Sequence, residues 1–223
     1  MLGQTFDQLI DENARRAAEQ QTVEAQREIL VHELAHRVKN NLAIVQAIAS
    51  LSFRHSQGPE ALHGFQERLQ ALVRGHDLLT RKNWEKADLA EIAEAAMAPA
   101  REDNGHRVAL SGPAIELPPG EAVPIAMILH ELCTNALKYG ALSNDTGRVA
   151  IDWTTQDEPL ATRIRLAWRE DGGPAVEPPQ RSGFGSRLIA NLTRQMNGKV
   201  DVGYSPGGLI CTIDLSVPKA LAS

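Results

Sequence analysis

Between Thr5 and His55 the chain contains neither proline nor glycine. Over the second half of that stretch apolar side chains recur every three or four positions, at Leu30, Leu34, Val38, Leu42, Val45 and Ala49. This spacing draws one apolar stripe along a long helix. Gln57-Gly58-Pro59 breaks it, because glycine and proline together favour a turn. A second helix follows, with Leu62, Phe65, Leu69, Leu72, His76 and Leu79 at the same spacing. Two amphipathic helices joined by a short turn form an antiparallel hairpin, and a lone hairpin leaves an apolar face open. A second hairpin, giving a four-helix bundle, covers that face, and so does a neighbouring domain.

After Trp84 the pattern changes. A short helix over Leu89 to Met97 precedes a strand at His106 to Leu110 and a Pro-Pro-Gly turn, and a strong helix then runs from about Val123 to Tyr139. Val149 to Trp153 and Ile164 to Trp168 alternate apolar with polar residues, as half-buried strands do. A helix over about Ser186 to Met196 is followed by strands at Lys199 to Val202 and Ile210 to Val217. The expected fold is therefore α+β: a helical hairpin, then an α/β sandwich with helices on one face of the sheet. The expected divisions are a helical lead-in at 1–27, the hairpin at 28–85 and the sandwich at 86–223.

A chain of 223 residues suffices for one large domain or two small ones. A formal charge of −5 gives no global reason to expect nucleic acid or an anionic membrane. No apolar run approaches the roughly 18 residues of a membrane span. The polar, mixed-charge first thirty residues do not read as a signal peptide and point to the cytoplasm. Cys133 and Cys211 lie far apart without a CxxC companion, so both are expected reduced and buried rather than ligating zinc or forming a disulfide.

Three segments carry chemistry. In His32-Glu-Leu-Ala-His36-Arg-Val-Lys-Asn40, His36 falls between stripe positions Leu34 and Val38, so its ring is expected to point away from the core. An exposed imidazole is largely neutral at pH 7 and keeps a lone pair able to attack phosphorus. Arg37, Lys39 and Asn40 stand ready to steady phosphate oxygens. The alternative is a solvated helical face that merely contains a histidine.

In His130-Glu-Leu-Cys-Thr-Asn-Ala-Leu-Lys138, Glu131, Asn135 and Lys138 are four and three apart and form one polar stripe. A carboxylate, an amide and an ammonium so placed can orient a base or water, ligate magnesium through the amide oxygen, and contact phosphate. Glu170-Asp-Gly-Gly-Pro174 ends a strand in a sharp turn and sets an acid at the mouth of a cleft, where Glu170 can accept from the exocyclic amine of adenine. Gly183-Phe-Gly185 leads directly into a helix, and glycines there let the backbone N–H groups approach a phosphate.

With these segments in this order, the chain resembles the HWE histidine kinases, a branch of the two-component sensor kinases with a GHKL-type ATP-binding fold. The resemblance covers about residues 28 to 217. HELAHRVKNNLAIVQ is similar to the family's phosphoacceptor box, which implies His36 as the phosphorylated residue. HELCTNALKYGALS is similar to its N box, implying Asn135 as a magnesium ligand, Glu131 as an acidic helper and Lys138 as a phosphate contact. The letters naming the branch match His130 and the Trp168-Arg-Glu170 triplet. Glu170 stands where most histidine kinases place an aspartate on adenine, Gly172 belongs to the same box, and RSGFGSRL matches the second glycine box with Gly183 and Gly185.

Two departures stand out. Arg37 follows the histidine where many sensor kinases have an acid, so Glu33 and Glu131 are both candidates for the base. The segment from Ala175 to Ser182 is short, which implies an abbreviated lid over ATP.

The resemblance implies ATP and magnesium as cofactors, a response regulator's receiver aspartate as the phosphoryl acceptor, and a sensor domain or protein upstream. A homodimer is expected, with a monomer possible. A phosphotransfer or docking protein with a degenerate ATP domain is the rival that the intact Glu131, Asn135 and glycine boxes oppose, and a GHKL-type ATP switch is the rival that the His36 segment opposes. His76 is expected in the core. His32, His55, His63 and His106 are expected at the surface, and Trp153 and Trp168 are expected to pack inward. His130 either supports the pocket or caps local hydrogen bonds.

Overall fold

The computed structural model describes residues 41–50, 52, 53, 58–81, 86–175, 183–205 and 207–219, together with isolated positions between 15 and 39. Contacts divide the chain into two units, Met1–Val45 and Gln46–Ser223. Every described position of the first unit is helical, as are residues 46–50 of the second. His36, Glu33 and Asn40 lie outside the described residues.

Three positions of the apolar stripe are exposed. Leu34, Val38 and Leu42 are 62%, 48% and 56% exposed, while Ile44, Ile48 and Ser52 are buried. Two apolar faces share the same helical period here, and periodicity alone cannot say which of them the chain's own residues cover.

In the second unit, α1 spans Pro59–Arg81 and begins at a proline, whose fixed φ suits a first helical turn. Phe53 meets Phe65 with ring centroids 5.5 Å apart. Leu72 and Leu79 are buried and Leu62 is exposed. The side chain of His76 lies outside the described residues.

The remaining elements are β1 (Ala87–Asp88), α2 (Leu89–Ala96), α3 (Ala98–Asn104), β2 (Val108–Ser111), β3 (Glu116–Leu117), α4 (Pro119–Lys138), β4 (Arg148–Asp157), β5 (Ala161–Asp171), α5 (Phe184–Gln195), β6 (Lys199–Ser205) and β7 (Gly208–Pro218). Asp88 caps α2 by accepting from the Ala90 N–H at 2.7 Å. β1 and β3 form a small antiparallel pair, and the main sheet has the order β2-β4-β5-β7-β6. β2 runs parallel to β4, and the other neighbours are antiparallel.

Alternation assigns the two faces of this sheet. Val149, Ile151, Trp153, Ile164, Leu166, Trp168, Cys211, Ile213 and Leu215 are buried beneath the helices. The opposite face carries the ion pairs Arg165–Asp214 at 2.7 Å and Arg169–Asp152 at 2.5 Å. This is the expected α+β sandwich with helices on one side. Cys133 and Cys211 are both free thiols, and burial pushes each up to about 12.

α4 starts earlier than its periodicity suggested. Pro118 is the cap and Pro119 the first helical residue, so Pro-Pro-Gly opens the helix rather than turning ahead of it. The helix is buried on nearly every side from Ala122 to Cys133, as befits a central element. α1 lies antiparallel along it. A Cβ at Gly75 would stand 3.3 Å from the Ala126 Cβ, so the absence of a side chain sets how closely the two helices approach. α1 packs with the sandwich within the second unit.

Candidate nucleotide-binding site

A cavity of about 500 Å³ opens between α4, the start of α5, the end of β5 and the β6–β7 edge. Its polar lining includes Glu131, Asn135, Glu170 and Arg68, and its apolar walls include Leu132, Ile189, Val202 and Leu209. Gly183 and Gly185 border it as well. The three segments singled out in the second half of the chain therefore meet at one place.

Glu131 and Asn135 are one turn apart on α4, so both project to the same side. The backbone of α5 passes directly over them. A Cβ at Gly185 would sit 3.2 Å from both Asn135 Nδ2 and Glu131 Oε2. Gly183 precedes α5 and, as a glycine, offers no side-chain oxygen to the first N–H groups of that helix. Such an N-terminus favours an anion.

Glu131 is buried. It accepts from Arg68 Nε at 2.7 Å and from Arg68 Nη2 at 3.5 Å. Burial pushes its carboxyl above the usual range, against the pull of the Arg68 guanidinium. That guanidinium also lies 3.6 Å from the centroid of the Phe184 ring, in cation–π contact. Arg68 is a site residue that sequence reasoning missed. It occupies an ordinary polar position of an amphipathic helix, and nothing local marks it.

Glu170 is buried at the end of β5. Its Oε2 accepts from the Ala141 N–H at 2.8 Å and its Oε1 from the Trp168 indole N–H at 3.0 Å.

Four residues anticipated at the site stand apart from this lining. Trp168 sits behind Glu170 and reaches the cavity only through it. Lys138 borders an adjoining cavity of about 700 Å³ together with Arg68 and Tyr139, and pairs with Glu67 at 3.3 Å. Gly172 holds the turn after β5 with a φ of 71°, a conformation that favours glycine, and its carbonyl accepts from Asn144 Nδ2 at 3.0 Å.

His130 lines a small cavity with Ala71, Arg74 and Gly75, where α1 meets α4. Burial, aided by Arg74, pushes its imidazole down to about 4, so it is neutral at pH 7. Among the described residues no three His, Cys, Asp or Glu side chains gather as a metal cluster. No described helix is long and apolar enough to cross a membrane.

Comparison with known proteins places the chain among histidine kinases. The family described as HWE histidine kinase matches residues 33–114. A blue-light-activated histidine kinase of Brucella anthropi is 40% identical over 202 residues, which is 90% of this chain and 41% of that protein. A protein of the same description from Brucella ovis is 37% identical over the same shares. The chain thus spans about two fifths of the length of these curated relatives.

Among solved structures, the blue-light-activated histidine kinase of Erythrobacter litoralis superposes with a TM-score of 0.59 at 19% identity, over 82% of this chain and 57% of that one. Its isolated kinase domain gives 0.52 at 17% identity, over 79% and 94%. At that identity the likeness concerns the fold.

Proposed function

Because the chain belongs to the HWE histidine kinase family, we propose that it binds ATP with magnesium in the 500 Å³ cavity, phosphorylates itself on His36, and passes the phosphoryl group to an aspartate of a response regulator. The observation that carries this reading is the convergence of Glu131, Asn135, Glu170 and the α5 N-terminus on one cavity.

The residues present fit a nucleotide. The volume lies within the roughly 300–1,000 Å³ of small-molecule sites. Apolar walls suit a base, a carboxylate suits its exocyclic amine, and the N–H groups at a glycine-led helix start suit phosphates. ATP supplies the phosphoryl group, and magnesium neutralises phosphate oxygens. Asn135 would hold the metal through its amide oxygen, Glu170 would read the base, and the glycine backbone at 183 and 185 would hold phosphate. Lys138, at the neighbouring cavity, contacts phosphate after leaving Glu67.

At His36 a ring nitrogen lone pair forms the bond to phosphorus while the bond to the bridging oxygen breaks and ADP departs. A carboxylate, Glu131 or Glu33, takes the proton from the other ring nitrogen. In this reading 28–85 is the phosphoacceptor and dimerisation domain, 86–223 the ATP domain and 1–27 the link to an upstream sensor. The protein works in the cytoplasm. The exposed Leu34, Val38 and Leu42 support a homodimer that buries them.

Labelled ATP tests the proposal. The purified chain should take up acid-labile, alkali-stable label. His36→Ala should bind ATP and take up none, and Asn135→Ala should lose magnesium-dependent binding. Full labelling of His36→Ala would make the phosphoacceptor assignment wrong.

A further inference from the structure

Trp168 and Glu170 are two positions apart on β5 and share its inner face. Trp168 is 1% exposed and is flanked by Ile151 on β4 and Cys211 on β7, so neighbouring strands fix the plane of its ring. An indole has one donor and no acceptor, and when buried it requires a partner. Here the partner is Glu170 Oε1, at 3.0 Å.

The second carboxylate oxygen is held from another direction by the Ala141 N–H at 2.8 Å. Residue 140 completes the seat. A Cβ on Gly140 would collide with Glu170 Oε2 and stand 2.9 Å from its Cδ. A carboxylate of glutamate length therefore fits only because position 140 carries no side chain. Two fixed donors on two oxygens set the rotation of the carboxylate, and each oxygen keeps a second lone pair. Glu170 lines the cavity, so those lone pairs are what a ligand meets.

We propose that Trp168 is a positioning residue for base recognition: its indole N–H, with Gly140 leaving room, aims the Glu170 carboxylate at the 6-amino group of adenine. The proposal rests on the reading of the cavity as an ATP site. It adds a specificity role to a tryptophan that sequence reasoning assigned mainly to packing. Trp168 does not line the cavity, so it acts through Glu170.

The test is calorimetric titration of the whole chain with magnesium and either ATP or purine riboside triphosphate, which lacks the 6-amino group. The variants are Trp168→Phe, Gly140→Ala, Glu170→Gln and the double variant Trp168→Phe with Glu170→Gln. Trp168→Phe should weaken ATP by roughly tenfold, the scale of one hydrogen bond to a charged group, and leave the analogue within about twofold. The double variant should bind ATP no worse than Glu170→Gln alone, since the two residues act as one unit. Gly140→Ala displaces the same carboxylate and should show the same pattern, and it carries the test if thermal melting shows Trp168→Phe unfolded.

Equal weakening of both nucleotides, or additive losses in the double variant, would overturn the positioning role. If the unmodified chain prefers ATP to the analogue and both Trp168→Phe and Gly140→Ala keep that preference, only this proposal fails. If the unmodified chain shows no preference, the assignment of Glu170 to the base fails with it.

Discussion

Arg68 on α1 donates from Nε to Oε1 of Glu131 on α4 across 2.7 Å, with side chains 19% and 5% exposed. A second ion pair, Glu67–Lys138 at 3.3 Å, joins the same two helices. α1 is thus held on α4 by charge as well as by the close approach at Gly75. Glu131 is one of the two candidate proton acceptors in the proposed reaction, and in this conformation its lone pairs serve Arg68.

Removing Arg68 should expose the cost of that burial. Arg68→Ala leaves a buried carboxylate unpaired, which for partly exposed partners should destabilise the fold by about 2 kcal/mol near pH 7, below the range for fully buried pairs. The unpaired Glu131 binds its proton more tightly folded than unfolded, so the penalty should shrink as pH falls. Urea unfolding at pH 7.5 and pH 5 measures this. An equal penalty at both values would mean that the lost interaction is packing rather than charge. Arg68→Lys should not restore stability, because an ammonium lacks the planar fork.

His130 should make the fold sensitive to mild acid. Its imidazole is held down at about 4 in the folded chain, mainly by burial, against about 6.5 when unfolded. Between those values the unfolded state binds more protons, so stability is complete above about pH 6.5 and falls as pH drops. The loss from this group should reach about 2 kcal/mol at pH 5. Arg74, Arg68 and Lys138 oppose protonation there and Glu67 favours it. Thermal melts of the unmodified chain and His130→Gln at pH 7.5 and pH 5 provide the comparison. The variant should lose less on acidification, and an identical loss would remove His130 as the cause.

The exposed stripe predicts association. Replacing Leu34 and Leu42 together by Glu should convert a dimer into a species of 24.3 kDa, since burying each leucine contributes on the order of 2 kcal/mol. Light scattering coupled to size exclusion reads the mass, and calorimetry should find ATP binding unchanged. An unmodified chain that already runs at 24.3 kDa would rule out the dimer.

The legible parts of this protein are those written at short range. The spacing of Leu69, Leu72 and Leu79 marked a helix, the alternation in Val149 to Trp153 marked a strand, and both are present. The four-residue step from Glu131 to Asn135 placed that pair on one face, because the helix period is a local backbone property. β1, β3 and α3 escaped notice, being too short to show a period.

The sequence by itself determined the order of the longer elements, the polar stripe of α4 and the glycines at the start of α5. Tertiary structure alone decided which groups meet. Arg68 and Glu131 are 63 residues apart, and Glu170 and Ala141 are 29 apart. It also chose Ile44 and Ile48 over Leu34 and Leu42 for burial, and placed His130 against α1 instead of in the cavity. Backbone geometry tells each side chain which way to point from its own element. What stands opposite depends on how the elements pack, and no local period records that.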